Sequence, residues 1–269
     1  MGNNGEFEEK FMNNKIRKTI LEIIHNGGAS HVASALSLVE ILDTVFKNCE
    51  IIKIKNADID RDRVILSKGH GTSALYATMF HYGLISNEEL QTYFINGSVL
   101  SGHTSHHVPF VEHSTGALGH GLPVGVGMAI GLRSRNLNSK VYVIVGDGEL
   151  HEGSNWEAIM FAGHEKLKNL VVLVDCNELS QVGRIEECCS IEPLESKFRS
   201  FNFEVFDIDG HDEKKIDQAI KKSTGMELPR AILCRTIKGK GISFMEGNNL
   251  WHYKSPQGED YEKALSELS

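Results

Sequence analysis

Two hydrophobic runs restrict the fold of this sequence more than any other feature. Residues 141–145 and 170–174 are hydrophobic throughout, and a stretch with helical character separates them at residues 155–167. Strands of this kind are typical of parallel sheets that helices cover on both faces. We therefore predict an α/β fold, a doubly wound parallel sheet with helices on both faces. Further strands are predicted at residues 64–66, 203–208 and 230–235.

The composition favours a single domain that binds neither nucleic acid nor a membrane. The sequence has 269 residues, a length that open α/β sheets often reach as one domain. Its 28 basic and 36 acidic side chains give a formal net charge of −8, so its overall field does not attract nucleic acid or anionic lipid. The hydrophobic runs are far shorter than the roughly 20 residues that span a bilayer. We expect one domain over residues 1–269, with an irregular C-terminal extension.

The N-terminal residues and the cysteines bear on where the protein works. The first residues are polar and acidic, without the basic and apolar regions of a secretory signal. The 5 cysteines are odd in number and include no C-x-x-C spacing, which argues against a disulfide framework and a zinc site. We expect reduced thiols and a cytoplasmic location.

Helical periodicity dominates the first part of the sequence. We predict helices over residues 10–26 and 32–46, followed by a polar connection over residues 51–63. Residues 97–121 are rich in glycine, serine, threonine and histidine, and they are predicted to form a long loop. Long loops inside compact domains are usually functional or disordered.

A glycine-rich helix is predicted directly after this loop. Gly121, Gly125, Gly127 and Gly131 lie in an apolar stretch, where each helical glycine costs about 1 kcal/mol relative to alanine. The absence of side chains at these positions must therefore allow another element to pack closely against the helix backbone. Packing on the chain's own sheet and packing on a partner helix are equally compatible with the sequence.

Polar residues follow two of the predicted strands. Gly146-Asp147-Gly148 comes directly after the first strand, and Asn177 follows the second. Because adjacent parallel strands end at one edge of a sheet, Asp147 and Asn177 are expected to converge there. The glycines let a phosphate approach the backbone, and the next helix points its N-terminus the same way. Carboxylate, amide, carbonyl and diphosphate oxygens are the ligands that Mg²⁺ prefers, so a magnesium–diphosphate site is predicted.

Residues 146–153 and 174–179 resemble the thiamine-diphosphate motif of the transketolase family. Further matching segments follow in transketolase order along nearly the whole chain: residues 30–31, 34–37, 67–71, 102–103, 115–121, 238–241 and 251–252. The resemblance implies the thiamine-diphosphate-binding fold and the transfer of a two-carbon ketol unit from a ketose to an aldose. The sequence is similar to the amino-terminal subunit of a split, two-gene transketolase, because it ends before the pyrimidine-binding and third domains of the fused enzymes.

The resemblance also implies which residues bind the cofactor. The metal, Mg²⁺ with Ca²⁺ or Mn²⁺ as substitutes, would be held by Asp147, the side chain of Asn177 and the carbonyl of Leu179. The cofactor itself would be contacted by Gly148, His70 and His252 at the diphosphate and by Gly116 and Leu118 at the rings. Glu152 resembles a buried glutamate that links two active sites across a dimer. The basic cluster at residues 235–240 is compatible with a phosphate site or a solvated loop. We favour the loop, with Lys238 and Lys240 near the cofactor.

The catalytic roles implied by the resemblance belong to four histidines: His31, His70, His103 and His252. A ketol donor loses a hydroxyl proton and an acceptor aldehyde gains one, and imidazole titrates near neutrality, which suits both steps. The other histidines of the loop, His106, His107 and His113, are expected to be surface residues. Ser30 and Ala33 replace residues that are usually glycine in this family, and these changes concern substrate choice rather than cofactor binding.

The resemblance finally implies a partner. In the family, the glutamate that activates the cofactor's aminopyrimidine lies in the pyrimidine domain. We therefore expect a separate subunit that carries this domain, an α2β2 heterotetramer, and small sugar or sugar phosphate substrates. Two alternatives stay open: specialised two-carbon transfer onto an unusual sugar or carrier-bound acceptor, and a non-catalytic subunit that only scaffolds a complex.

Overall fold

One parallel sheet organises the chain. The computed structural model describes residues 3–222, 225 and 227–269, so residues 1, 2, 223, 224 and 226 of the predicted domain lie outside this description. The strands are Arg63–Leu66 (β1), Val141–Gly146 (β2), Leu170–Cys176 (β3), Glu204–Asp209 (β4) and Arg230–Arg235 (β5). They pair in the order β1-β2-β3-β5-β4, and every pair is parallel.

Helices fill the connections between the strands. The α-helices of the described residues are Asn3–Gly27 (α1), Val32–Leu36 (α2), Val39–Lys47 (α3), Ile51–Lys55 (α4), Thr72–His81 (α5), Asn87–Leu90 (α6), Gly121–Ser134 (α7), Gly153–His164 (α8), Ile185–Cys189 (α9), Leu194–Ser200 (α10), Glu213–Lys221 (α11) and Glu259–Glu267 (α12). Short 3-10 helices span Gly69–Gly71, Gly148–His151 and Asn249–His252. None of these helices has the length and hydropathy that crossing a bilayer requires.

The sheet separates two hydrophobic cores. Tyr142 and Ile144 of β2 face a core formed with α1, α2, α3, α5 and α11. Val143 and Val145, which alternate with them, face a second core formed with α7, α8 and α10. Both faces of the central strands are therefore buried, which explains why these strands are hydrophobic throughout. The predicted doubly wound sheet with helices on both faces is confirmed.

The predicted helix over residues 32–46 is interrupted. It divides into α2 and α3 at Ser37 and Leu38, where Ser37 Oγ donates to the Ser34 carbonyl at 3.2 Å and to Asp175 Oδ2 at 2.8 Å. Hydrophobic periodicity continues through the break, so the pattern alone did not reveal it. The interruption brings a serine hydroxyl to the carboxyl edge of the sheet.

The predicted polar connection over residues 51–63 is also partly wrong. It begins with the short helix α4, which is anchored by the buried side chain of Ile54. The long loop over residues 97–121 agrees with the structure, since the described chain between α6 and α7 contains neither α-helix nor strand.

The glycines of α7 face in two directions. A Cβ on Gly125 would meet the side chain of Val143 at 2.4 Å, so this glycine allows the helix to pack closely on the sheet. Gly127 and Gly131 are exposed, and a Cβ on either would meet no atom within 4 Å. Packing on the chain's own sheet therefore explains Gly125. The fold of the single chain does not require glycine at positions 127 and 131.

Candidate active site

A cavity of about 260 Å³ opens at the carboxyl ends of β2 and β3. Its lining includes the predicted site residues His31, His70, His103, Gly116, Leu118, Asp147, Gly148, Asn177, Leu179 and His252. These residues are far apart in sequence, and the fold brings them to the edge where ligands bind in doubly wound sheets. Of the predicted set, Glu152 lies outside the lining.

Asp147 occupies the first turn after β2. Its carboxylate accepts hydrogen bonds from the backbone N–H of Gly148 at 2.7 Å and of Glu178 at 2.6 Å. Burial, with the negative charge of Asp175 beside it, raises the pKa of Asp147 to about 6. The site therefore holds a buried carboxylate whose charge a cation would stabilise.

Asn177 lies opposite Asp147, at the end of β3. The chain turns sharply after it because Glu178 adopts a left-handed conformation with φ 63°. The turn directs the Leu179 N–H onto Asn177 Oδ1 at 3.1 Å, while Asn177 Nδ2 donates to Asp175 Oδ2 at 3.0 Å. The predicted convergence of Asp147 and Asn177 is present, since both line the cavity.

Two buried lysines also line the cavity. Lys68 is 2% exposed and forms an ion pair with Asp175 (Nζ–Oδ2 2.5 Å). Lys238 is 1% exposed and donates to the carbonyl of Ser180 at 3.2 Å and to His252 Nδ1 at 2.9 Å. Burial, together with the positive charge of Lys68, lowers the pKa of Lys238 to about 8.

The solvated-loop interpretation of residues 235–240 is therefore wrong for Lys238. Lys240 does lie toward the surface, in a long ion pair with Glu246 (Nζ–Oε1 3.6 Å). Lys68 lies in the matched segment 67–71 but was not predicted as a site residue, because its burial depends on tertiary contacts. Its position between Ser67 and Gly69, in a turn directly after a strand, was the available signal.

Four histidines cluster at the cavity. The ring of His31 lies 5.1 Å from that of His252, 5.4 Å from that of His70 and 5.9 Å from that of His103. Burial lowers the pKa of His31 to about 4 and that of His252 to about 3, with nearby positive charge adding to the effect. Burial also lowers the pKa of His70 and His103. These imidazoles are neutral near pH 7, so they can both donate and accept a hydrogen bond.

The loop that precedes α7 forms one wall of the cavity. Gly116 has φ 149°, and a Cβ there would meet His103 Cδ2 at 3.1 Å. Glu149 braces this loop: its carboxylate accepts from the N–H of Gly119 at 3.0 Å and from that of Gly146 at 3.2 Å. Glycine at 116 thus lets the chain pass beneath an imidazole.

Glu149 and Glu152 differ in burial within the single chain. Glu149 is 2% exposed and lines the cavity, and burial raises its pKa. Glu152 is exposed in this chain and lies outside the cavity. The expectation that Glu152 links two active sites across a dimer concerns a second chain, so it stays a prediction.

The remaining loop histidines lie away from the cavity. His106 and His107 are exposed, and His106 Nδ1 lies 2.7 Å from Ser114 Oγ. His113 is partly buried and is not part of the cavity lining.

The donor set suits a metal-bound diphosphate. A divalent cation would supply the charge that the buried Asp147 carboxylate needs, and amide and carbonyl oxygens lie beside it. The ammonium groups of Lys68 and Lys238 would balance the negative charge of phosphate oxygens. The fold and the site together define an α/β domain with a cavity for a metal diphosphate at the edge of its sheet.

Comparison with known proteins identifies the family. Residues 8–267 match the family described as "Transketolase, thiamine diphosphate binding domain". The chain is 39% identical over 259 residues to an apulose-4-phosphate transketolase subunit of Phocaeicola vulgatus, covering 95% of this chain and 92% of that protein. It is 38% identical over 258 residues to the 6-deoxy-6-sulfo-D-fructose transketolase subunit SqwG of a Clostridium species, covering 95% and 94%. The chain belongs to the transketolase family.

Solved transketolases have the same fold. A transketolase variant from Pichia stipitis superposes with a TM-score of 0.89 at 27% identity, and the match covers 97% of this chain and 40% of that one. Transketolase from Campylobacter jejuni gives a TM-score of 0.88 at 27% identity, covering 97% and 42%. Thiamine diphosphate is thus the cofactor of this domain, with the divalent metal that is typical of the family.

Proposed function

We propose that this chain is the cofactor-binding subunit of a cytoplasmic two-chain transketolase. It works with a separate subunit that carries the pyrimidine-binding domain, in an α2β2 heterotetramer. The enzyme moves a two-carbon ketol unit from a ketose or ketose phosphate to an aldose. The observation that carries this proposal is the cavity that joins Asp147 and Asn177 to two buried lysines and four histidines.

The chain's own residues divide the work at the diphosphate end. Asp147, Asn177 Oδ1 and the Leu179 carbonyl hold the cation, and Gly148 gives the diphosphate access to the backbone. Lys68, Lys238, His70 and His252 face the negative charge, and Gly116 and Leu118 border the rings. Bound thiamine diphosphate would supply the electron sink that cleavage of the donor's carbon–carbon bond requires.

The histidines handle protons and hydroxyl groups. Their pKa values lie below neutrality, so a neutral imidazole can take the donor's hydroxyl proton and return one to the acceptor. His31 and His103 lie at the cavity with ring centroids 5.9 Å apart, close enough to contact one small polyol together. We assign them to substrate, and His70 and His252 to both substrate and cofactor.

The names of the relatives support a separate partner. The relatives from Phocaeicola vulgatus and Actinobacillus succinogenes are each named as one subunit of an apulose-4-phosphate transketolase. The matches cover 92% and 93% of their lengths, so these subunits are close in extent to this chain. The exposed glycines of α7 offer a surface for close helix packing in such an assembly.

The binding of the metal diphosphate is tested by Asp147→Ala. The variant loses the anionic ligand of the cation, so the affinity for thiamine diphosphate with Mg²⁺ should fall by roughly two orders of magnitude or more. Titration calorimetry in the presence of the partner measures this. Asp58→Ala is the matched control, since Asp58 precedes β1 at the opposite edge of the sheet. Binding by Asp147→Ala equal to that of the wild type would exclude the site.

A specialised substrate is the second candidate. Two relatives are named for uncommon sugars, apulose-4-phosphate and 6-deoxy-6-sulfo-D-fructose. In this chain Ser30 Oγ lies 2.9 Å from His31 Nδ1, a contact that glycine could not make. Two-carbon transfer to one common aldose acceptor should be compared between these two ketoses and a common ketose phosphate, with formation of the new ketose as the measured quantity. A higher kcat/KM for an uncommon ketose favours the specialised enzyme, and equal or lower values favour the general one.

A further inference from the structure

Asp175 is a buried carboxylate beside the cavity that accepts four side-chain hydrogen bonds. It is fully buried in β3 and is absent from the cavity lining. Its Oδ2 accepts from Lys68 Nζ at 2.5 Å, Ser37 Oγ at 2.8 Å and Asn177 Nδ2 at 3.0 Å. Its Oδ1 accepts from the hydroxyl of Thr236. One carboxylate therefore ties together four separate segments of the chain.

The contact with Asn177 has a chemical consequence. An asparagine amide presents either an oxygen, which binds a cation, or an NH₂ group, which repels one. A carboxylate accepts hydrogen bonds and donates none, so Asp175 requires the NH₂ group of Asn177 to face it. The amide oxygen is thereby turned to the opposite side, where it accepts from the Leu179 N–H at 3.1 Å.

We infer that Asp175 is a positioning residue that selects the cation-binding orientation of Asn177. The inference rests on the proposed metal site, in which Asn177 Oδ1 is a ligand. Outer-shell partners of this kind typically change metal affinity by roughly 10- to 100-fold when they are removed. If Asp175 only neutralised Lys68, its replacement would not lower Mn²⁺ affinity once Lys68 is also replaced. The positioning role predicts that the loss persists, so the two roles can be separated.

The first measurement uses Asp175→Asn in the full chain. Binding of Mn²⁺ in the presence of thiamine diphosphate is followed by the electron paramagnetic resonance signal of free Mn²⁺. We expect the Mn²⁺ affinity to fall roughly 10- to 100-fold, because asparagine at 175 no longer fixes the amide of Asn177. Unchanged affinity would overturn the inference. If the unpaired Lys68 prevents folding, the double variant Asp175→Asn/Lys68→Met removes that charge and is expected to show the same loss relative to Lys68→Met.

The second measurement exchanges the two side chains. In Asp175→Asn/Asn177→Asp, the ligand position carries a carboxylate, and both of its oxygens can bind a cation, so its orientation no longer matters. The amide at 175 can donate to it. We expect Mn²⁺ affinity to return to within about threefold of the wild type. Affinity as low as that of Asp175→Asn alone would show that Asp175 acts only through Lys68.

Thr236→Val is the matched control, because it removes the donor to Oδ1 and leaves the contact of Oδ2 with Asn177. Its Mn²⁺ affinity should stay within about twofold of the wild type, and a loss equal to that of Asp175→Asn would contradict the inference.

Asn177→Ala separates the proposed metal site from the proposed role of Asp175. If it leaves Mn²⁺ affinity unchanged, the metal site itself fails. If it weakens binding and Asp175→Asn does not, the failure belongs to the role of Asp175 alone.

Discussion

His103 is the residue that best separates substrate handling from cofactor binding. It lies at the cavity mouth, above Gly116, and has no hydrogen bond from its ring to the residues assigned to the metal. His103→Ala should therefore leave the affinity for thiamine diphosphate nearly unchanged and reduce kcat, by roughly 10² to 10⁴ for a lost acid–base group. Calorimetry and steady-state kinetics measure the two effects, with His106→Ala as the control. A loss of cofactor affinity with normal turnover of the saturated enzyme would show that the role is misassigned.

The pH dependence of stability reports the burial of His31. Its pKa is about 4 in the folded chain and near 6.5 when unfolded, so the unfolded state binds more protons between these values. The contribution of His31 to stability is therefore complete above pH 6.5 and is lost as the pH falls toward 4. His31→Asn should reduce the loss of stability between pH 7 and pH 5 by about 1 kcal/mol, allowing for partial solvent screening. Urea unfolding at both pH values measures the free energy of unfolding. An equal loss of this free energy in the variant and the wild type between pH 7 and pH 5 would contradict the prediction.

Motif spacing was enough to predict that Asp147 and Asn177 lie together at the ends of their strands, but not that Lys68, Asp175 and Glu149 are buried beside them. Asp147 and Asn177 follow hydrophobic strands, a position with known consequences in a parallel sheet. The ion pair of Lys68 with Asp175 joins residues 107 positions apart, and its burial depends on the packing of several elements. Glu149 was missed for the same reason. Sequence patterns report local periodicity, whereas a buried charge is defined by contacts that are distant in the chain.

At the level of elements, α7 contains a glycine that packs against the sheet, Gly125, and two that are exposed, Gly127 and Gly131. Gly127→Ala and Gly131→Ala should each stabilise the isolated chain by up to about 1 kcal/mol, because a Cβ meets no atom within 4 Å and alanine is the better helix former. The same substitutions should weaken assembly if a partner helix packs there. Urea unfolding of the chain and light scattering of the complex measure the two effects. Gly125→Ala is the contrasting control and should destabilise the chain, since its Cβ would collide with Val143.

Light scattering that detects equally stable complexes for Gly127→Ala, Gly131→Ala and the wild type would exclude α7 as a closely packed contact. The helix predicted over residues 10–26 is α1, whose end at Gly27 agrees with the predicted glycine stop, whereas its start at Asn3 lies seven residues before the predicted one. The break between α2 and α3 was not predicted because Ser37 leaves the helical pattern to bind Asp175, a tertiary contact.

At the level of the whole molecule, the order of strands could not be predicted from the sequence. Hydrophobic runs located β1 to β5, but the chain passes from β3 to the outer strand β4 before it returns to β5 between them. The class of fold, by contrast, follows directly from strands that are hydrophobic on both faces.

The requirement for a second subunit is tested most directly by assaying ketol transfer with and without it. The purified 269-residue chain should release no aldose from a ketose phosphate with thiamine diphosphate and Mg²⁺, because the acid that activates the aminopyrimidine is proposed to lie on the partner. Co-expressed with the partner, it should form an active heterotetramer. Substantial aldose release by the isolated chain would contradict the two-chain enzyme, since the activating acid would then have to come from the chain itself.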